Sequence, residues 1–322
     1  MTPPSPRSSR GEGKGEGQRR LSLLRRTSSG LLNRWFSCTL QFMSRLPRIR
    51  HVLAASAAVA LTFLCAPQGL AAEQVDIELV LAVDVSLSMS PDEMEIQRRG
   101  YATALTDPRV LEAIADGAHG KIALTYFEWA GSTSQHVIVP WTVIASREDA
   151  ERVAQRISAV PPRQSRRTSI SGALHFAADL FAESGFQSFK RVIDISGDGP
   201  NNEGRPADAA RDAVVQQKIA INGLPVMAAG TELLPYEVEE LDTYYSECVI
   251  GGPGSFVMPV NGWEQFPEAI RRKLLLELAS RPPRSHEEKV PVILAQAKPP
   301  YDCLIGEKLW QGDRGRQRMY DP

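Results

Sequence analysis

Two rhythms of apolar and polar positions alternate along the chain from residue 73 onward. Ile77–Val83 (IELVLAV) is a run of β-formers too short for a helix, which predicts a strand covered on both faces. Ser90-Pro91-Asp92-Glu93 then supplies an N-cap, a first-turn proline and acids near the positive helix end. The helix it opens runs to about Thr106, where Asp107-Pro108 breaks it. Lys121–Trp129 and His136–Val143 read as two strands of a hairpin, Pro140 demoting the second to an edge. Helices follow at Arg147–Ser158 and Ser169–Glu183, separated by the loop PPRQSRR. A strand at Phe189–Ile195, a helix at Ala207–Lys218 and a strand at Ile219–Met227 continue the alternation. Pro235–Ser246 reads as a helix, Cys248–Val260 as a glycine-interrupted strand, and Gly262–Ala279 as a last amphipathic helix. Residues 281–322, rich in proline and charge and without sustained periodicity, read as a tail that wraps the domain or stays partly disordered.

Strands alternating with helices define a doubly wound α/β domain. The expected sheet is six-stranded and mostly parallel, with one antiparallel edge strand and helices on both faces. The domain is expected over residues 73–280.

Composition changes the picture mainly at the N-terminus. The formal net charge of -1 hides a segregation: residues 1–50 hold 11 Lys/Arg against 2 Asp/Glu, leaving 26 against 36 in the rest. The body is acidic, which argues against nucleic acid as a partner. Arg48-Ile49-Arg50-His51 precedes the uncharged run Val52–Ala66, and small residues follow to Ala72. These are the parts of a secretory signal peptide, and the run is short for a membrane span. Residues 1–72 are therefore expected to be a basic leader and signal, with Met43 as an alternative start that sets residues 1–42 aside. Export to the periplasm or exterior is the expectation; an uncleaved anchor, the only membrane contact foreseen, is the alternative. Cys248 and Cys303 remain after cleavage, either paired or as two separate thiols.

Three loops carry candidate chemistry. The first strand ends in Asp84-Val85-Ser86-Leu87-Ser88, at the strand end where open α/β sheets bind ligands. One carboxylate and two hydroxyls on alternate residues can converge on a point, and such oxygen donors suit Mg²⁺, Mn²⁺ or Ca²⁺. Alone the triplet is ambiguous, because strand-to-helix loops often hold Asp and Ser as caps. Thr168 at the start of a helix and Asp198 just beyond another strand add a hydroxyl and a carboxylate.

With these motifs in this order, DVSLS, RRTSISGAL and ISGDGPNN, the chain resembles the von Willebrand factor type A (VWA) family and its metal-ion-dependent adhesion site. The resemblance covers about residues 76–279. It implies that Ser86, Ser88 and Thr168 contact one divalent cation, Mg²⁺ before Mn²⁺ or Ca²⁺, while Asp84 and Asp198 orient ligands or bind through water. It leaves a coordination position for an acidic side chain of an unidentified partner protein. Many family members carry Thr before the last aspartate, where this chain has Gly197. The segment Cys248–Gly254 resembles one shared by uncharacterised bacterial single-VWA proteins with export signals.

A hydrolase is the rival reading. Neither Ser86 nor Ser88 stands in a G-x-S-x-G elbow. Haloacid-type phosphatases carry a second aspartate two residues after the first, where this chain has Ser86. A structural domain whose site goes unused is the third reading. His175 is expected to be a hydrogen-bonded structural histidine, Tyr244, Tyr245 and Trp263 to close the core, and Arg163, Arg166 and Arg167 to form a solvated loop or a basic rim for an acidic partner.

Overall fold

The computed structural model describes residues 72–161, 163–227, 238, 240–278 and 301–320, with side chains to 312 in the last segment. The leader, the expected tail up to residue 300 and most of the first part of the expected helix at Pro235–Ser246 lie outside the described residues.

Strand β1 (Glu73–Asp84) is the centre of the sheet. Its alternate residues serve two cores. Leu79, Leu81 and Val83 face one apolar cluster, while Val80 and Ala82 face another. This is why its sequence is continuously apolar: a strand covered on both sides has no polar face. Helix α1 (Pro91–Leu105) starts at Ser90, which accepts from the Glu93 amide as Glu93 accepts from the Ser90 amide. The chain does not pass into a loop at Asp107-Pro108. Asp107 accepts from the Arg109 amide at 2.9 Å and caps a further helix, α2 (Pro108–Ala115), in which Pro108 takes the first turn that tolerates it.

Strands β2 (Ile122–Trp129) and β3 (Gln135–Ile144) form the expected antiparallel hairpin, with β3 at the edge. Helix α3 (Arg147–Ala159), helix α4 (Ile170–Ala182), strand β4 (Phe186–Gly197), helix α5 (Ala207–Val215) and strand β5 (Ala220–Pro225) follow. The sheet order is β3-β2-β1-β4-β5, parallel except for the hairpin. A short helix α6 (Leu241–Tyr244) runs directly into a π-helical turn (Tyr245–Val249), and a 3₁₀ turn (Trp263–Gln265) leads into helix α7 (Phe266–Leu278).

The sheet has five strands, not six. Cys248–Val260 touches β5 and its extension only through isolated bridges, Ile221–Gly251, Gly223–Val257 and Val226–Val260. Gly252 and Gly254, at φ of +90° and +75°, turn the chain within this stretch, and Pro253 between them has no N–H to donate. Residues beyond 300, expected to wrap the domain or stay partly disordered, pack on it and add an element that the periodicity did not predict. Ile305–Tyr320 is a helix, α8. It is joined to the domain by a Cys248–Cys303 disulfide; Tyr301, Cys303 and Ile305 pack on the core, Tyr301 edge-on to Tyr244. Among the described residues, no helix is long and apolar enough to cross a membrane.

Candidate metal centre

The sheet delivers two neighbouring strand ends to one place, because β1 and β4 are parallel and paired along their length. Asp84 is the last residue of β1 and is fully buried. Its Oδ1 accepts from the Ser86 amide at 2.7 Å, a local turn that bends the chain off the strand. Ser86 Oγ then lies 2.9 Å from Ser88 Oγ, and Ser88 Oγ donates to Asp198 Oδ1 at 2.8 Å. Four of the five expected residues thus form one hydrogen-bonded chain across the two strand ends.

The loop that carries Thr168 is tied to the other two through its backbone. Ser165 bridges to Ser86, its amide donating to the Val85 carbonyl at 3.1 Å. The Thr168 amide donates to Asn202 Oδ1 at 3.0 Å, and the Asn202 amide returns to the Thr168 carbonyl at 2.8 Å. Thr168 is itself buried. Asn201 ties the third loop to the start of α4 by accepting from the Ser171 amide at 3.0 Å. It also donates to Glu307 Oε1 of α8 at 2.7 Å. Arg167, at a φ of +78°, lies 4.0 Å from the Trp310 ring in cation–π contact. Arg163 and Arg166 are exposed on the same loop.

The electrostatics of the centre are unbalanced at Asp84. Burial raises its pKa well above the ordinary carboxylate value, and the charge of Asp198 raises it further. Hydrogen bonds from Ser86 and from the Asp198 backbone offset part of this. Its Oδ2 is buried with no hydrogen-bond partner among the described residues. Two carboxylates and three hydroxyls are hard oxygen donors, so the set fits Mg²⁺, Mn²⁺ or Ca²⁺ better than a soft metal. Among the described residues there is no cluster of three or more His, Cys, Asp or Glu, so a site here depends on hydroxyls.

Other expectations turn out unevenly. Tyr244 and Tyr245 are fully buried, and Tyr244 Oη accepts from the Asn201 amide at 3.2 Å. Trp263 packs on Val85, Met89 and Met94 beneath the first loop. His175 is not the hydrogen-bonded histidine expected: its Nε2 is buried without a partner among the described residues. Sequence reading gave Tyr245 no part in the site, yet its hydroxyl lies against Gly197. The only signal was the missing side chain at Gly197 itself.

A mostly parallel sheet with these three loops at its strand ends defines a doubly wound α/β domain. The chain belongs to the family described as "Protein of unknown function (DUF1194)", whose profile matches residues 74–282. No curated protein matches it in sequence. Among solved structures it is similar to the pilus adhesin SpaC from Lactobacillus rhamnosus GG, at 12% identity and a TM-score of 0.47, over 63% of this chain and 30% of that one. It is similar to proximal thread matrix protein 1 from the mussel byssus, whose metal-ion-dependent adhesion site holds zinc, at 18% identity and a TM-score of 0.45, over 64% and 48% of the two chains. A von Willebrand factor type A protein from Catenulispora acidiphila is similar at 14% identity and a TM-score of 0.42, over 63% and 42%. The chain spans about a third to a half of the length of these structures.

Proposed function

We propose that this domain binds one divalent cation, Mg²⁺ in the first place, through Ser86, Ser88 and Thr168, with Asp84 and Asp198 as orienting or water-bridged carboxylates. The observation that carries the reading is Asp84, buried beside a second carboxylate with one oxygen unpartnered. A buried carboxylate in that position is stabilised by an added positive charge. When bound, the cation supplies a Lewis-acidic position for an oxygen ligand. The residues of this chain hold that position in place at the carboxyl ends of β1 and β4, and exposed Arg163 and Arg166 lie on the loop that carries Thr168.

The reading continues to non-catalytic protein binding: an acidic side chain of a partner completes the coordination. Export is part of the same proposal, supported by the leader's sequence pattern and by the Cys248–Cys303 disulfide, a bond that persists in oxidising compartments. Titration calorimetry with Mn²⁺ and Mg²⁺ on the full chain is expected to show one site, and Asp84→Ala to abolish it with the fold retained. Unchanged binding in Asp84→Ala overturns the assignment. Capture of a partner from envelope extracts is expected to disappear with EDTA; capture that survives EDTA removes the cation from the interaction.

A further inference from the structure

Two buried polar atoms approach the same point beside Gly197. A Cβ on that residue would stand 2.8 Å from Tyr245 Oη and 2.9 Å from Asp84 Oδ2. Both residues are fully buried, and neither atom has a hydrogen-bond partner among the described residues. One is a phenol, able to donate; the other is a carboxylate oxygen, able only to accept while ionised. Any side chain at position 197 would meet both of them.

The approach of Tyr245 is built into the backbone in three ways. Its ring also occupies the place of a side chain at Gly223, where a Cβ would lie 2.7 Å from Tyr245 Cδ1. Glycines on two adjacent strands, β4 and β5, therefore make the bed for one aromatic ring. The residue is carried by the π-helical turn Tyr245–Val249, a geometry that recurs at functional sites because it redirects one side chain. The same turn holds Cys248, fixed by its disulfide to Cys303.

We infer that Tyr245 is a positioning residue of the metal centre, its hydroxyl orienting the Asp84 carboxylate toward the cation. Tyr245 does not touch the cation; it acts through Asp84, as outer-shell hydrogen-bond donors do at other metal sites. The inference rests on the proposed metal site. A purely structural Tyr245 makes a different prediction, since a phenylalanine ring fills the same bed.

The test is Tyr245→Phe in the full chain, read by Mn²⁺ titration calorimetry and by the melting temperature without metal, with wild type and Asp84→Ala alongside. Removing an unpartnered buried hydroxyl is expected to leave the metal-free melting temperature unchanged or raise it. Mn²⁺ affinity is expected to fall by about tenfold or more, the range for lost outer-shell partners. These opposite directions are the signature of positioning. Wild-type affinity in Tyr245→Phe, with Asp84→Ala silent, overturns the role of Tyr245 and leaves the metal site standing. A lower metal-free melting temperature accompanying the loss shows a structural hydroxyl and also overturns the inference. No saturable binding in the wild type overturns the site itself.

Discussion

Strand β4 and the residue that follows it carry two acids four residues apart, and the fold treats them in opposite ways. Asp194, in the strand interior, faces Lys273 of α7 at 2.7 Å, and Lys273 also reaches Glu277 at 2.7 Å. Asn222 of β5 donates to Glu277 at 2.9 Å and accepts from the Phe256 amide at 3.1 Å, extending a network whose Asp194, Lys273, Glu277 and Asn222 side chains are buried. Asp198, just beyond the strand tip, lies instead beside the buried Asp84, whose pKa is raised by burial and by the charge of Asp198. The interior acid has its counter-charge in the protein. At the tip, Asp84 has hydroxyls, amides and an open oxygen. Burying ionised carboxylates is tolerated when they are paired or bind a metal, so the same chemistry is answered inside the protein in one place and, on the proposed function, by an external cation in the other.

The contrast breaks most severely if the internal cation is removed. Lys273→Met leaves Asp194 and Glu277 buried without their counter-charge, and is expected to lower stability by about 3–5 kcal/mol in urea denaturation. Added Mg²⁺ is not expected to restore it, because the network does not offer the hydroxyl donors of the strand tip. Next in size, Gly197→Ala forces a methyl against Tyr245 Oη and Asp84 Oδ2. Overpacking of this kind costs about 1–3 kcal/mol, and Mn²⁺ titration is expected to show the site lost as well. A mild Gly197→Ala would mean that the two atoms move apart at little cost.

The smallest effect is a pH dependence. Burial, opposed by Lys273 and reinforced by Glu277, raises the Asp194 pKa from 3.8 to about 7. In the unfolded chain the proton leaves near the ordinary value, so between these limits unfolding releases a proton. The contribution of Asp194 is thus full below the unfolded pKa and is lost as pH rises toward about 7. Asp194→Asn cannot titrate, so its stability relative to wild type is expected to improve between pH 5 and pH 8. A gap that stays constant across that range removes Asp194 as the titrating group.

What was legible in the sequence follows how local each feature is. The apolar run of β1, the Ser90 cap and the hairpin were readable because neighbouring residues decide them. The common loop of Asp84, Ser86 and Ser88 was readable for the same reason, and the approach of Asp198 through its place at a neighbouring strand end. The sixth strand failed because a Gly-Gly-Pro-Gly stretch makes bridges without a ladder. Helix α8 was missed because its attachment depends on Cys303, Tyr301 and Asn201, not on a periodic apolar face of its own. Tyr245 was missed because its meaning lies in two glycines on other strands.

The Cys248–Cys303 bond closes a span of 55 residues. A protease that nicks the chain once inside this span leaves a single covalent molecule, with α8 still attached to the turn that carries Tyr245. Detaching that segment takes two events of different chemistry, hydrolysis of a peptide bond and reduction of the disulfide. Nicked and intact chains then differ in mass by one water molecule only, and the pieces separate once a thiol is added.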